Sequence, residues 1–177
     1  VAHIDCAIPV FHGWHGEDGT IQGLFEMANI PYASTGVLGS AIGMDKIAMK
    51  LLLRGAGYPV LDFVWFTREQ IKKDRKAVVA RVEKEIKYPA FIKPAALGSS
   101  IGVSRAKNRE ELERALEVAA SYDRRVLVEV GVVHPVEINC AALGYGEEVQ
   151  TSVCEMPIPS SNDTFLDFWQ KYLRNAS

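Results

Sequence analysis

Phe91-Ile92-Lys93-Pro94, followed by Gly98-Ser99-Ser100-Ile101-Gly102, is the stretch of this 177-residue chain whose reading decides its class. The apolar run ending in a lysine predicts a strand over residues 88–94. The glycines and serines predict a loop over 97–102 that leads into a short strand at Val103 and Ser104. Glycines let a backbone approach an anion closely, and successive N–H groups form a nest for it, with serine hydroxyls as further donors. A lysine at the end of the preceding strand supplies a point charge for phosphate. The G-x-x-x-x-G-K-[ST] pattern of the P-loop is absent. Taken alone, the same residues also describe a flexible hairpin loop beside a surface lysine.

Upstream, residues 6–11 form an apolar run that predicts a buried strand, followed by the glycine-rich turn His12-Gly13-Trp14-His15-Gly16-Glu17-Asp18-Gly19. A helix is predicted over 20–29 with Ile21, Leu24, Phe25 and Ala28 on its inner face, and a second over 40–55, stopped by Gly55-Ala56-Gly57 and Pro59. Residues 60–66 read as a strand and 68–87 as a charged helical segment. Downstream, Asn108 and Glu111 predict a capped helix over 109–122 with Leu112, Ala115, Leu116 and Ala119 inward. Strands are expected at 126–130, 136–143 and 149–153, and a loop at 157–163. This order is α/β or α+β, with changes of pattern near residues 35 and 132.

Hydrophobic residues make up 48% and charged residues 24%, an ordinary globular mixture. With 20 basic against 22 acidic residues and a net charge of -2, no broad nucleic-acid or anionic-membrane surface is expected. No apolar run reaches the roughly 18 residues of a membrane span. The start lacks both a secretory signal and an initiator Met, so the natural N-terminus is expected to lie upstream. Cys6, Cys140 and Cys154 lack paired spacing and are expected to act as small hydrophobes in a reducing cytoplasm.

Four other groups point to chemistry. Lys46, in Met44-Asp45-Lys46, stands at a helix start, where the dipole disfavours a cation unless it faces an anion. Glu129, at the end of an apolar strand, suits ribose hydroxyls, with Glu137 a second candidate. His12 and His15 lack the H-E-x-x-H spacing of a metal site, so the turn is read as placing His12 and Glu17 at a site. Lys171-Tyr172, among Phe165, Phe168 and Trp169, reads either as an amphipathic helix or as a lid that excludes water.

Jointly and in this order, the His12–Gly19 turn with Thr20-Ile21-Gln22-Gly23, Gly36-Val37-Leu38, Ser40-Ala41-Ile42-Gly43-Met44-Asp45-Lys46, Ile92-Lys93-Pro94, Gly98-Ser99-Ser100-Ile101-Gly102-Val103 and Leu127-Val128-Glu129 resemble the D-alanine–D-alanine ligases over essentially the whole chain. The resemblance implies the ATP-grasp fold. Residues 1–34 would end an N-terminal substrate-binding module, 35–132 would form the central module, and 133–177 would begin the C-terminal module with its mobile loop. It implies that Lys46 and Lys93 hold nucleotide phosphates. Gly98, Ser99, Ser100 and Gly102 would belong to the loop over the γ-phosphate, with Ser99 also near the substrate. Glu129, Val130 and Val132 would form the adenine and ribose hinge, and Glu137 would bind ribose further on. Phe165 and Lys171 would meet the nucleotide, Tyr172 the substrate, and His12 and Glu17 the N-terminal edge of the site.

The implied activity is ATP-dependent synthesis of D-alanyl-D-alanine for peptidoglycan by a cytoplasmic homodimer, with D-alanine and ATP as substrates. Mg²⁺ or Mn²⁺ would be held by ligands beyond residue 177, and the 177 residues alone are expected to show little or no ligase activity. Lys171-Tyr172 favours the dipeptide ligase over a relative making D-alanyl-D-lactate. A D-alanine–D-serine ligase, an inactive nucleotide-binding remnant and another ATP-grasp ligase are the competing readings.

Overall fold

The computed structural model describes residues 4–133 and 135–157. They fall into two compact units, Val1–Gly131 and Val132–Ser177. The first holds six helices, α1 (Thr20–Met27), α2 (Val37–Met44), α3 (Lys46–Gly55), α4 (Arg68–Lys73), α5 (Arg75–Glu85) and α6 (Arg109–Tyr122). Its strands are β1 (Phe63–Thr67), β2 (Ala90–Pro94), β3 (Ser104–Ala106) and β4 (Arg125–Val130). These pair antiparallel in the order β1-β4-β2-β3.

Side chains alternate across a strand, so this sheet has two chemically different faces. Val64 and Phe66 of β1, Ile92 of β2, Ala106 of β3, and Val126 and Val128 of β4 pack with Ile71, with Val78, Val79 and Val82 of α5, and with Leu112, Leu116 and Ala119 of α6. On the other face Phe63 and Leu127 cluster with Ile47 of α3 and with Ala95. Lys93 and Glu129 belong to that second face. Phe91 is the direct partner of Glu129, so Lys93, two residues on, reaches Glu129 diagonally.

Helix α6 matches its predicted bounds and its predicted inner face, with Ala120 also buried. Asn108 caps it, accepting a hydrogen bond from Glu111 N at 2.9 Å, while the Glu111 carboxylate accepts from Lys107 N at 2.8 Å. Asn108→Ala is therefore expected to cost about 1 kcal/mol of unfolding free energy in chemical denaturation.

Several expected elements divide. The helix over 40–55 breaks at Asp45, whose backbone is extended (φ -90°, ψ 101°) and whose carboxylate accepts from Ile47 N and Ala48 N. The segment 68–87 breaks at Asp74, which caps α5 by accepting from Ala77 N. Short polar side chains compete for backbone N–H groups in this way.

The run 6–11 is not a buried strand. Only Ala7 bridges Tyr32, and Ile8, Val10 and Phe11 are exposed, because no described segment extends the pairing. In α1 the buried residue is Gln22, and Leu24 is exposed. Gln22 Nε2 donates to the Gly16 carbonyl at 3.0 Å, so this face grips the preceding turn rather than a core.

The second unit contains a hairpin of β5 (Ala142–Tyr145) and β6 (Glu148–Thr151) turning through Gly146 (φ +60°). The strand expected over 136–143 begins only at Ala142, preceded by a bridge between Asn139 and Glu155. All three cysteines are exposed rather than packed as hydrophobes, because the segments carrying them contribute nothing to either core cluster. No helix among the described residues is long and apolar enough to cross a membrane.

Candidate functional site

The second face of the sheet gathers three lysines around one carboxylate. Lys46 opens α3, and Lys50 stands one turn later on the same helix face. Asp45, the N-cap, ion-pairs with Arg125 of β4 and so fixes the start of α3 to the sheet. Lys46 N donates to the Ala95 carbonyl at 2.9 Å, and its ammonium donates to the Leu97 carbonyl. The two bonds from one residue clamp the chain that leads from β2 into the glycine–serine loop. Burial, and then the nearby Lys93 ammonium, push the Lys46 pKa below its ordinary 10.5. A cation held so, beside another cation, has most to gain from an arriving anion.

Glu129 is the hub of the cluster. It is only 5% exposed, bonds the Lys93 ammonium through Oε1, and has Lys50 Nζ at 2.7 Å from Oε2. The two lysines thus take one carboxylate oxygen each, and Oε2 is wholly covered. Burial pushes the Glu129 carboxyl up, but Lys93 and Lys50 together outweigh it and hold the group below the ordinary glutamate value.

Residues 98–102 form a tight turn sequence. Ile101 N donates to the Gly98 carbonyl at 3.1 Å and Val103 N to the Ser100 carbonyl at 3.2 Å. Ser99 (φ 51°) and Ser100 (φ 60°) both adopt the left-handed conformation that costs a non-glycine residue about 1–2 kcal/mol. Two adjacent residues held there mark a backbone shaped for something other than its own stability. Gly102 (φ +70°) is required twice over, since a Cβ there would stand 2.8 Å from both Pro94 Cγ and Tyr122 Cδ2.

The His12–Gly19 turn lies against this loop. Trp14 Nε1 donates to the Ala96 carbonyl at 2.6 Å, and a Cβ on Gly98 would lie 4.0 Å from Glu17 Oε2. The turn is braced from within. Gly13 N donates to Glu17 Oε2 at 2.6 Å, and the Asp18 carboxylate accepts from His15 N and Thr20 N, both at 3.0 Å. Burial pushes the Asp18 carboxyl up, but these N–H donors win and hold it low. On the other side of the loop base, Ala96 N donates to buried Asp123 at 2.7 Å.

The structure thus brings Lys46, Lys93, Glu129, Glu17 and the 98–102 loop to one region of the first unit. His12 is exposed on the turn, and Val130 follows Glu129, its N–H donating to the Asp62 carbonyl at 3.0 Å. Val132 and Glu137 belong to the second unit, both exposed. Phe165, Lys171 and Tyr172 lie outside the described residues. Lys50, Trp14 and Asp123 are site residues that the sequence reading does not single out. The signal for Lys50 is its i+4 spacing from Lys46. Nothing local distinguishes Trp14 or Asp123.

Comparison with known proteins points the same way. The family described as "D-ala D-ala ligase C-terminus" matches residues 52–177, and "D-ala D-ala ligase N-terminus" matches 1–35. The D-alanine–D-alanine ligase of Acetivibrio thermocellus is 48% identical over 98% of this chain and 45% of its own length. That of Chloroherpeton thalassium is 44% identical over 99% of this chain and 47% of its own. The chain therefore spans about half the length of the curated relatives it matches. Among solved structures, the Coxiella burnetii D-alanine-D-alanine ligase superimposes with a TM-score of 0.79 at 33% identity, over 89% of this chain and 45% of that one. The VanG D-Ala:D-Ser ligase of Enterococcus faecalis gives 0.79 at 36% identity, over 88% of this chain and 44% of that one.

Proposed function

Since the chain belongs to the D-alanine–D-alanine ligase family, with that family's ATP-grasp fold, we propose that it supplies the phosphate-gripping part of a ligase that forms D-alanyl-D-alanine at the expense of ATP. The observation that carries this reading is the convergence of Lys46 and Lys93, from a helix start and a strand end, at the base of the strained 98–102 loop. Residues 1–34, 35–132 and 133–177 are read as parts of three successive modules.

In the proposed reaction the carboxylate of one D-alanine attacks the γ-phosphorus of ATP, the bond from that phosphorus to ADP breaks, and an acyl phosphate forms. The amine of a second D-alanine then attacks the acyl carbon, and inorganic phosphate leaves. Each step concentrates negative charge on phosphoryl or carbonyl oxygens, and preorganised cations and donors lower its cost. Lys46 and Lys93 neutralise the phosphates. The 98–102 loop folds its N–H groups and the Ser99 and Ser100 hydroxyls over the γ-phosphate. The family resemblance assigns Glu129 and Val130 of the first unit, and separately Val132 and Glu137 of the second, to the nucleoside. Glu17 and His12 border the amino-acid side, and Phe165, Lys171 and Tyr172 are assigned to a lid that protects the acyl phosphate from water.

Family membership implies a divalent metal with the ATP. Among the described residues no three His, Cys, Asp or Glu side chains could hold a metal ion, so the charge neutralisation that these residues provide is that of the lysines. A cytoplasmic homodimer feeding peptidoglycan synthesis is part of the same proposal.

The experiment is D-alanine-dependent phosphate release by the protein that carries this chain, with D-serine and D-lactate offered as second substrates. The expected result is turnover with D-alanine alone. Turnover with ATP that no D-amino acid stimulates would overturn the reading. The likeness to the D-Ala:D-Ser ligase favours D-serine as the second choice, and faster turnover in its presence would establish it.

ATP affinity should also carry the Lys46 signature. Lys46 grips phosphate only when protonated, and its pKa lies below 10.5. Affinity is therefore lost as pH rises through that lowered value, earlier than an ordinary lysine titrates. Calorimetric titration of ATP at rising pH reads this directly.

A further inference from the structure

We infer that Lys50 is a positioning residue that lets Lys93 change partners, holding the buried Glu129 carboxylate while Lys93 moves from it to a nucleotide phosphate. This rests on the reading of Lys46 and Lys93 as phosphate lysines. In the structure Lys93 is paired with Glu129, so gripping a phosphate requires it to leave a carboxylate that is almost wholly buried. Stripping the last cation from such a group is heavily penalised. Lys50 removes that penalty because it occupies the other oxygen, Oε2, at 2.7 Å.

The two cations are not equivalent. Each ammonium lies over an aromatic ring, Lys50 5.5 Å from Phe63 and Lys93 5.6 Å from Phe91, so burial and neighbouring charge make the difference, and the Lys50 side chain is only 13% exposed. The Lys93 side chain is 24% exposed and adjoins Lys46, whose cation it disfavours. Lys93 is the cation placed to leave and Lys50 the one placed to stay. Lys50 also shares α3 with Lys46, so the helix that clamps the loop base sets the Lys50–Glu129 contact as well.

The test uses tripolyphosphate, which carries phosphates without base or sugar and so is insensitive to any nucleoside contact of Glu129. It is titrated calorimetrically into the protein that carries this chain and into its Lys50→Met, Lys50→Arg, Glu129→Gln and Lys50→Met/Glu129→Gln variants. ATP is titrated into the wild type in parallel, and thermal melts are recorded for each protein. Lys50→Met should weaken tripolyphosphate binding about tenfold, the loss of one charge-assisted contact. Lys50→Arg should restore it. In the Glu129→Gln background Lys50→Met should have no effect, because Lys93 is already released.

An equal loss in both backgrounds makes Lys50 a mere positive charge and overturns the inference, as does no loss at all. A wild type that binds neither ATP nor tripolyphosphate overturns the phosphate reading itself. Where a variant does not fold, nitrogen-detected NMR of the wild-type lysine ammonium groups decides. Tripolyphosphate should shift the Lys93 signal and leave the Lys50 signal in place, and the reverse pattern contradicts the exchange.

Discussion

Lys93→Ala lowers ATP affinity about thirtyfold or more, the result expected when one partner of a close, partly buried charge contact is removed at about 2–5 kcal/mol. The side chain sits at the end of β2 on the sheet face that Glu129 and α3 share. Its loss should leave the fold largely intact, because Lys50 keeps a cation on Glu129 and Lys93 belongs to neither core cluster. The signature is thus a large fall in affinity with a small shift in melting temperature. A second readout follows from Lys46. Lys93 helps to lower the Lys46 pKa, so in Lys93→Ala the alkaline loss of the remaining ATP affinity should move to higher pH. Unchanged affinity by calorimetry would remove Lys93 from the site.

Leu116→Ala should cost about 2–5 kcal/mol of stability, a large share of the roughly 5–15 kcal/mol of an ordinary domain. Leu116 is fully buried on α6, among the side chains that α5, α6 and all four strands of the sheet contribute. The interior there is formed by residues from many elements, and a cavity at its centre has few ways to collapse. Denaturant unfolding should show a lowered midpoint with an unchanged slope. Leu143→Ala in β5 is the contrast. That side chain is 80% exposed, and its removal should change stability by no more than about 0.5 kcal/mol. Equal effects at the two positions would contradict the assignment of the core.

Much of the fold is legible in the sequence because local and tertiary signals agree. In α6 the Asn108 cap, the Glu111 three residues on and the apolar spacing all point to one helix, and that helix forms. Where the two levels conflict, reading fails in particular ways. Asp45 has the pattern of one more residue in a long helix, yet its carboxylate takes two backbone N–H groups and breaks the helix there, which is what sets Lys46 at a helix start. The run 6–11 has a buried strand's composition, but burial needs a neighbour, and pairing is a tertiary fact.

The same distinction holds at the site. Lys93 and the 98–102 loop are readable because a strand, a lysine and a glycine–serine turn are contiguous in the chain. Lys50 is not, because a lysine four residues after another on a helix ordinarily describes a solvated face. Only the β2–β4 register, which puts Lys93 diagonal to Glu129, and the packing of α3 on that face give Lys50 a partner. Trp14 is hidden in the sequence for a related reason: its indole bonds a carbonyl 82 residues away.

The most direct test of the phosphate grip is lysine acylation with and without ATP, read by mass spectrometry of the chain. Lys46 and Lys93 should both be acylated to a smaller extent with saturating ATP than without it, because the phosphates cover their ammonium groups. Lys72 and Lys73, on α4, should react equally in both conditions. Lys46 and Lys93 reacting to the same extent with and without saturating ATP would contradict the assignment of these two lysines to the nucleotide.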